Sequence, residues 1–439
     1  MIFLLDIVLA FNVWLAHRIF KNLVSPPMLM GIGMLAASLM ATSYYDEWNM
    51  GKMLPESVFI LGGGTLFFTI CCSICMTFFK VKGFNELSSC KTTPYIDRKT
   101  IKNFFIISII IGATGILLKL FYLRNVFGSL GLQELILAKR LDEWNGINDF
   151  VLPSYVRQLG SYTTIVSYFT LWVSSLLVTN KNLNKKLQLK WLLVAHLSII
   201  FIDGMLSGSK APILNMVLFF GIFFVYNYYS NNGSYKISKK FFIRISLIVI
   251  LLAISFRSLS LLIGRAVEDV KNIDLLAEYC GAEIKNFDIF MHQSHTVKGK
   301  RWGENTFYGF YKDIDPNFYK ANGEFQLVGN YSLGNVYTQF RPFYEDFGMI
   351  GVFVMCAFMA LLSMFLYSKA SNSLVSPLWP NVFLFIYTSV AMSIFMAFFS
   401  SKFTEIVCRL GWIRTTIYLA VLTWFIKRFI FKNKISSHG

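Results

Sequence analysis

Long apolar runs separated by short polar connections dominate this chain. Windows of about 18 to 23 mainly apolar residues, enough helix to cross roughly 30 Å of hydrocarbon, occur near 2–20, 26–45, 57–79, 103–123, 160–178, 190–207, 211–229, 241–261, 347–368, 379–400 and 410–430. The pattern predicts an all-α polytopic membrane protein with about 11 transmembrane helices. Two connections are long. Residues 124–159 carry an amphipathic piece around Leu132, Leu135, Ile136 and Lys139, then a turn at Trp144 and Gly146, which predicts a helix lying on a surface. Residues 262–346 exceed a plain connector. Within them Val267, Val270, Ile273 and Leu276 repeat at helical spacing, as do Ile284, Phe287, Phe290 and Met291. Gly281 between the two sets fits a helix C′ position. A small, mostly helical subdomain is therefore expected at 262–346, turning at Asp315-Pro316. It separates helices one to eight in 1–261 from helices nine to eleven and a basic tail in 347–439.

Composition agrees with the membrane reading: 439 residues, 55% hydrophobic and 17% aromatic, with a mean hydropathy of +0.54. Charge then orients the chain, because cytoplasmic connections carry an excess of Lys and Arg. The first, third, fifth, seventh and ninth connections and the tail hold 21 of the 41 basic residues and two acids, Glu86 and Asp97. The other connections hold 17 basic and 20 acidic residues. The N-terminus is thus expected outside and the C-terminus in the cytoplasm. The net charge of +17 becomes a topology signal rather than a mark of nucleic-acid binding. Arg18 and Lys21 follow the first apolar run instead of preceding it, so that run reads as a retained helix.

The cytoplasmic connections carry no Walker loop, no GxGxxG and no DxD-like acidic site, which argues against a nucleotide-fed enzyme on that side. Gly62-Gly63-Gly64 lies inside an apolar helix and suits close packing. Cys72-x-x-Cys75 sits in the same helix without His or charge nearby, a packing context rather than a redox one. No internal repeat links the halves, which weakens a transporter reading.

Charges inside the apolar windows are costly unless they meet a partner or water. Asp6, Lys119, Asp203, Arg257 and Arg414 all fall in the outer third of their helices. Lys210 and Arg341 lie at the same level, and together they predict an outward-facing cavity richer in cations than anions. Snorkelling or a helix-to-helix ion pair explains Asp6, Lys119 or Arg414 singly about as well, but snorkelling would also populate the inner ends, so the one-sided distribution favours the cavity. Arg holds phosphate oxygens as a fork and Lys as a point charge, so the set suits a lipid bearing phosphate or pyrophosphate. At the boundary where the polar segment turns back into the membrane, Tyr337, Arg341, Tyr344, Glu345 and Asp346 crowd together. Asp346 and Glu345 there, and His295 with His292 in the subdomain, are candidates for a base. For Asp346 an ion pair with Arg341 is the structural alternative. Trp302, Tyr337 and Tyr344 are placed to stack on sugar rings, a role that interface anchoring matches.

The stretch Gly334-Asn335-Val336-Tyr337-Thr338, Arg341-Pro342-Phe343-Tyr344, Asp346-Phe347-Gly348 and Gly351 resembles the hallmark of the oligosaccharide repeat-unit polymerases, the Wzy or O-antigen polymerase group. Ser207-Gly208-Ser209-Lys210 is similar to that group's short turn, with lysine in place of the more usual arginine. The resemblance implies a GT-C-like multi-span glycosyltransferase of the bacterial inner membrane that uses no nucleotide-sugar and no cofactor or metal. Its donor and acceptor would be undecaprenyl-pyrophosphate-linked oligosaccharides, joined at the periplasmic face, with membrane lipid around it and a chain-length regulator as partner. Arg257, Arg341, Lys210 and Arg414 would then hold the pyrophosphate. Two alternatives stay open: an O-antigen ligase-type transferase, and a flippase or exporter of lipid-linked oligosaccharide.

Overall fold

The computed structural model describes residues 1–81, 95–145, 150–232, 257–261, 271–293, 301–315, 318, 324–372 and 381–432. Among these, seven helices are long and apolar enough to cross a membrane. They are α1 (Ile2–Phe20), α2 (Pro26–Ser43), α3 (Pro55–Phe78), α4 (Arg98–Phe127), α6 (Ser154–Thr179), α9 (Ala211–Asn232) and the long α13 (Phe340–Asn372). Between α4 and α6 lies α5 (Leu132–Asn145). The window at 190–207 becomes α8 (Lys190–Met205), bent by 93° from the short α7 (Lys181–Leu187) before it; counted as one span, the pair makes eight. The windows at 379–400 and 410–430 become shorter helices, α14 (Val382–Phe395) and α16 (Leu410–Phe425), with α15 (Lys402–Val407) between them. Of the window at 241–261, only 257–261 falls within the described residues. The remaining elements are α10 (Asn272–Cys280), α11 (Ala282–His292), α12 (Tyr308–Ile314) and four short strands.

The chain forms two compact units, one of 1–86, 273–373 and 386–417, the other of 87–272, 374–385 and 418–439. In the first, α1 and α2 are joined through Asp6, whose carboxylate accepts hydrogen bonds from Ser38 Oγ (2.6 Å) and Thr42 Oγ1 (2.8 Å). Two hydroxyls one helical turn apart thus satisfy a charge in an otherwise apolar helix. Pro26 and Pro27 open α2, where a missing N–H costs nothing. The glycine run in α3 lets neighbours approach: a Cβ on Gly62 would meet Val8 Cγ1 at 3.0 Å, and one on Gly64 would meet Phe340 Cε1 at 2.9 Å.

The connection after α2 and the long connection before α13 lie on the same side of this unit. Tyr44 Oη donates to Asp274 (2.7 Å), while Leu54 N and Ser57 Oγ donate to Asp288 (2.9 and 2.8 Å). The helical pair α10–α11 is seated there. Gly281 joins the two with φ −153°, not in the left-handed state of a C′ glycine. Glycine is needed instead for close approach, since a Cβ there would lie 2.9 Å from Met40 Cγ and 3.0 Å from Ala41 N. The Gly- and aromatic-rich stretch that follows contains an unforeseen hairpin, β2 (Gln326–Val328) paired antiparallel with β3 (Tyr331–Gly334). Asn286 Nδ2 secures it by donating to Leu333 O (2.9 Å) and Val336 O (2.8 Å). At the opposite end of the unit, Asn22 Nδ2 donates to Tyr367 Oη (2.8 Å) and Tyr387 Oη to Val24 O (2.5 Å).

In the second unit α4 and α8 are joined by an ion pair of Lys119 with Asp203, and α6 packs on α4 through Ser108 and Tyr162 (3.0 Å). Ile116, Leu123, Ile136, Ile199 and Leu206 form its apolar cluster, with Leu135 and Ile136 of α5 buried and Leu132 and Leu141 exposed. Tyr95–Ile96 pairs with Phe431–Lys432, and Arg98 bonds Gln188. Within the second unit the described parts of the third and fifth connections and the end of the last helix thus lie together.

Candidate functional site

The boundary stretch builds a defined site in the first unit. Gly348, at φ +66° and ψ −162°, breaks α13 into an amphipathic piece, 340–347, and an apolar helix, 349–372. Only glycine adopts that backbone freely. The short piece presents Arg341 at i and Glu345 at i+4 on one face, with Nε 3.8 Å from the Glu345 carboxylate. The guanidinium lies over the Tyr337 ring, Cζ 3.8 Å from its centroid, and 5.0 Å from the centroid of Phe290 on α11. Stacking of this kind holds the cation without consuming its N–H donors. Tyr337 is itself fixed, accepting from Gln326 Nε2 (3.0 Å) and donating to Glu324 O (3.2 Å). Its buried ring backs the arginine, while Tyr344 meets Phe290 edge-on at 6.2 Å.

Asp346 is engaged elsewhere. One oxygen accepts from Asn305 N (3.3 Å) and Nδ2 (2.9 Å), the other from Thr306 N (2.6 Å). Its partner is therefore the 301–307 loop rather than Arg341, which pairs with Glu345. Trp302 in that loop is exposed, stacks on Phe307 at 5.8 Å and meets Phe347 at a tilt at 5.0 Å. His295 lies outside the described residues. His292 is 3.7 Å from Asp288, which also meets Lys285 at 3.4 Å.

The other expected cations fall on both units. Arg414 is exposed on the face of α16 that carries Leu410, Ile413 and Ile417, and it has no ion pair or hydrogen bond among the described residues. Lys210 and Arg257 belong to the second unit. Lys210 is buried at the turn where Ser209 N donates to Ser207 Oγ (3.3 Å) and Ala211 N to Ser209 Oγ (3.2 Å); Arg257 is half-buried. Asp6, Lys119 and Asp203 take the structural role weighed for charged residues in spans: hydroxyl partners for the first, each other for the last two.

Two features had no sequence signal. Asp313, at the end of α12, accepts from Arg409 Nη2 (2.5 Å) and from the backbone N–H of Leu410 (3.0 Å). The hydrogen-bonded guanidinium holds its carboxyl below the usual range. Glu283 on α11 is wholly buried, and neither carboxylate oxygen meets a partner in another residue. Burial pushes its carboxyl well above the usual range, and nearby Glu278 adds to the rise. Among the described residues no group of three or more His, Cys, Asp or Glu is arranged to hold a metal.

Fold and site define an all-α, multi-pass membrane protein with a cation held between aromatic rings where α13 begins. No family model, curated protein or solved structure matches the chain.

Proposed function

We propose that the protein is a polymerase of lipid-linked oligosaccharide repeat units, with about eleven spans and a GT-C-like plan, working at the periplasmic face of a bacterial inner membrane. The observation that carries this reading is the Arg341 site: a stacked, forked cation beside the Glu345 carboxylate, inside the stretch whose residues resemble the hallmark of that family. The reaction breaks the anomeric C–O bond to undecaprenyl pyrophosphate and forms a glycosidic bond to the non-reducing end of the next lipid-linked unit. Negative charge develops on the departing pyrophosphate, and a preorganised guanidinium stabilises it. The proton of the acceptor hydroxyl needs a base within hydrogen-bond reach. Glu345 suits that role better than Asp346, whose oxygens already accept three hydrogen bonds from the 301–307 loop.

The test is complementation of a strain lacking this protein. Arg341→Ala is expected to leave protein level and single-unit product intact while removing long glycan chains. Normal chain-length ladders in that variant would overturn the site. Ladders that persist on the lipid carrier while transfer to a final acceptor fails would select the ligase reading.

A further inference from the structure

Residues 301–314 are tied to the two places where the first unit's chain turns into apolar helix. At one end Asp346, two residues before the Gly348 break, binds Asn305 and Thr306, and Thr306 Oγ1 donates to Pro342 O (3.1 Å). At the other end Asp313 accepts from the N–H of Leu410, the first residue of α16, where a carboxylate also complements the helix dipole. Arg409 lies across α12 so closely that a Cβ on Gly309 would meet its Cδ at 2.8 Å. Gly309 and Asp313, one turn apart, thus form the clamped face of α12. Phe310 and Ile314, also one turn apart, are exposed by 38% and 59%, and the Trp302 ring by 75%.

A water-facing loop has no reason to hold three large apolar groups outward while Asn305, Thr306 and Asp313 turn inward to clamps. Exposed apolar residues follow each clamp: Ile350 and Val354 on α13, a helix long and apolar enough to span, and Leu410, Ile413 and Ile417 on α16. The segment is held at their outset. Arg301 keeps its charge on a different set of neighbours, bound to Asp315 (3.1 Å) and over the Phe318 ring (5.0 Å).

We propose that residues 301–314 form an interfacial tab whose partner is the lipid bilayer itself, with Trp302, Phe310 and Ile314 sunk into the boundary between headgroups and acyl chains. Indole and phenyl rings favour that depth. The tab depends only on the membrane fold and goes beyond the catalytic reading above.

The test uses the full chain with its native cysteines replaced, reconstituted in vesicles of phosphatidylethanolamine and phosphatidylglycerol. Phe310→Cys and Ile314→Cys each carry an environment-sensitive fluorophore, with Lys312→Cys on the other face as control. Expected are blue-shifted emission at 310 and 314, strong quenching by lipids spin-labelled near the headgroup, and weak quenching by aqueous iodide, with the reverse at 312. Iodide quenching at 310 and 314 would overturn the tab. So would blue-shifted emission that neither quencher reaches, the sign of a second copy covering the patch. Should the cysteine-free chain fail to fold, the difference in tryptophan emission between the native chain and Trp302→Phe serves instead. That difference is expected to be lost to the spin-labelled lipid, and its persistence there with loss to iodide would overturn the proposal.

Discussion

Glu283 shows most plainly what a single residue does in this molecule. Taking an ionised carboxylate out of water without a partner costs more than any nearby dipole returns, so the group keeps its proton. The sign of the consequence follows from linkage. A folded-state value raised above the ordinary 4.5 means that folding is favoured while the group is protonated in both states, below pH 4.5. That contribution is lost as pH rises from there towards the folded-state value. Thermal melting of the native protein in detergent is therefore expected to shift to lower temperature as pH rises above 4.5. Glu283→Gln removes the titration and should flatten this part of the profile, with the variant melting above the native protein at neutral pH. Parallel profiles for the two proteins would show that Glu283 titrates as it does in the unfolded chain. The neighbouring acids divide differently: Glu345 stays beside Arg341, whereas Asp346 is consumed as a loop clamp. The sequence places both carboxylates next to the arginine. Which one turns towards it depends on helix phase, i+4 against i+5, and on loop amides forty residues upstream.

At the scale of elements, the ion pair of Lys119 with Asp203 illustrates why charges in apolar helices are ambiguous in a sequence. Each looks like a cavity-lining group until the helix facing it is known. Together they hold α4 to α8 with side chains only 16% and 18% exposed. Removing one partner strands the other charge in an apolar setting, while removing both leaves a neutral contact. Lys119→Met and Asp203→Leu should each lower stability, and the double variant should be less damaged than the sum of the singles, with a coupling of about 1–3 kcal/mol. Melting of the four proteins of the cycle reads this directly, and strict additivity would remove the pair from the account. The helices themselves were legible because apolar length is a strong signal: seven of the windows coincide with helices able to span. The hairpin of 326–334 was not, since its short strands carry no alternating pattern and are fixed by Asn286, 47 residues before its partner Leu333.

For the molecule as a whole, sidedness joins the charge pattern to the proposed chemistry. Basic connections at 95–98 and 180–189 and the end of α16 gather at one end of the second unit, where Arg98 meets Gln188 and Asp97 N donates to Ile430 O (3.0 Å). In the first unit the described acid-bearing segments at 44–54, 273–293 and at 301–315 with 399–409 are tied through Tyr44, Asp288 and Asp313. The grouping within each unit follows from contacts, and the excess of Lys and Arg sets the expectation for which side is which. Glu47 and Lys185 are both exposed, one on each set. In intact cells lacking other reactive cysteines, Glu47→Cys is expected to react with a membrane-impermeant maleimide, and Lys185→Cys only after the membrane is opened. The reverse result would place the Arg341 site in the cytoplasm, where the substrate proposed here is not polymerised. Reaction of both in intact cells would break the alternation itself. Because the proposed donor is a lipid whose glycan must already lie outside, the outward exposure of Glu47 is the condition on which the catalytic reading stands.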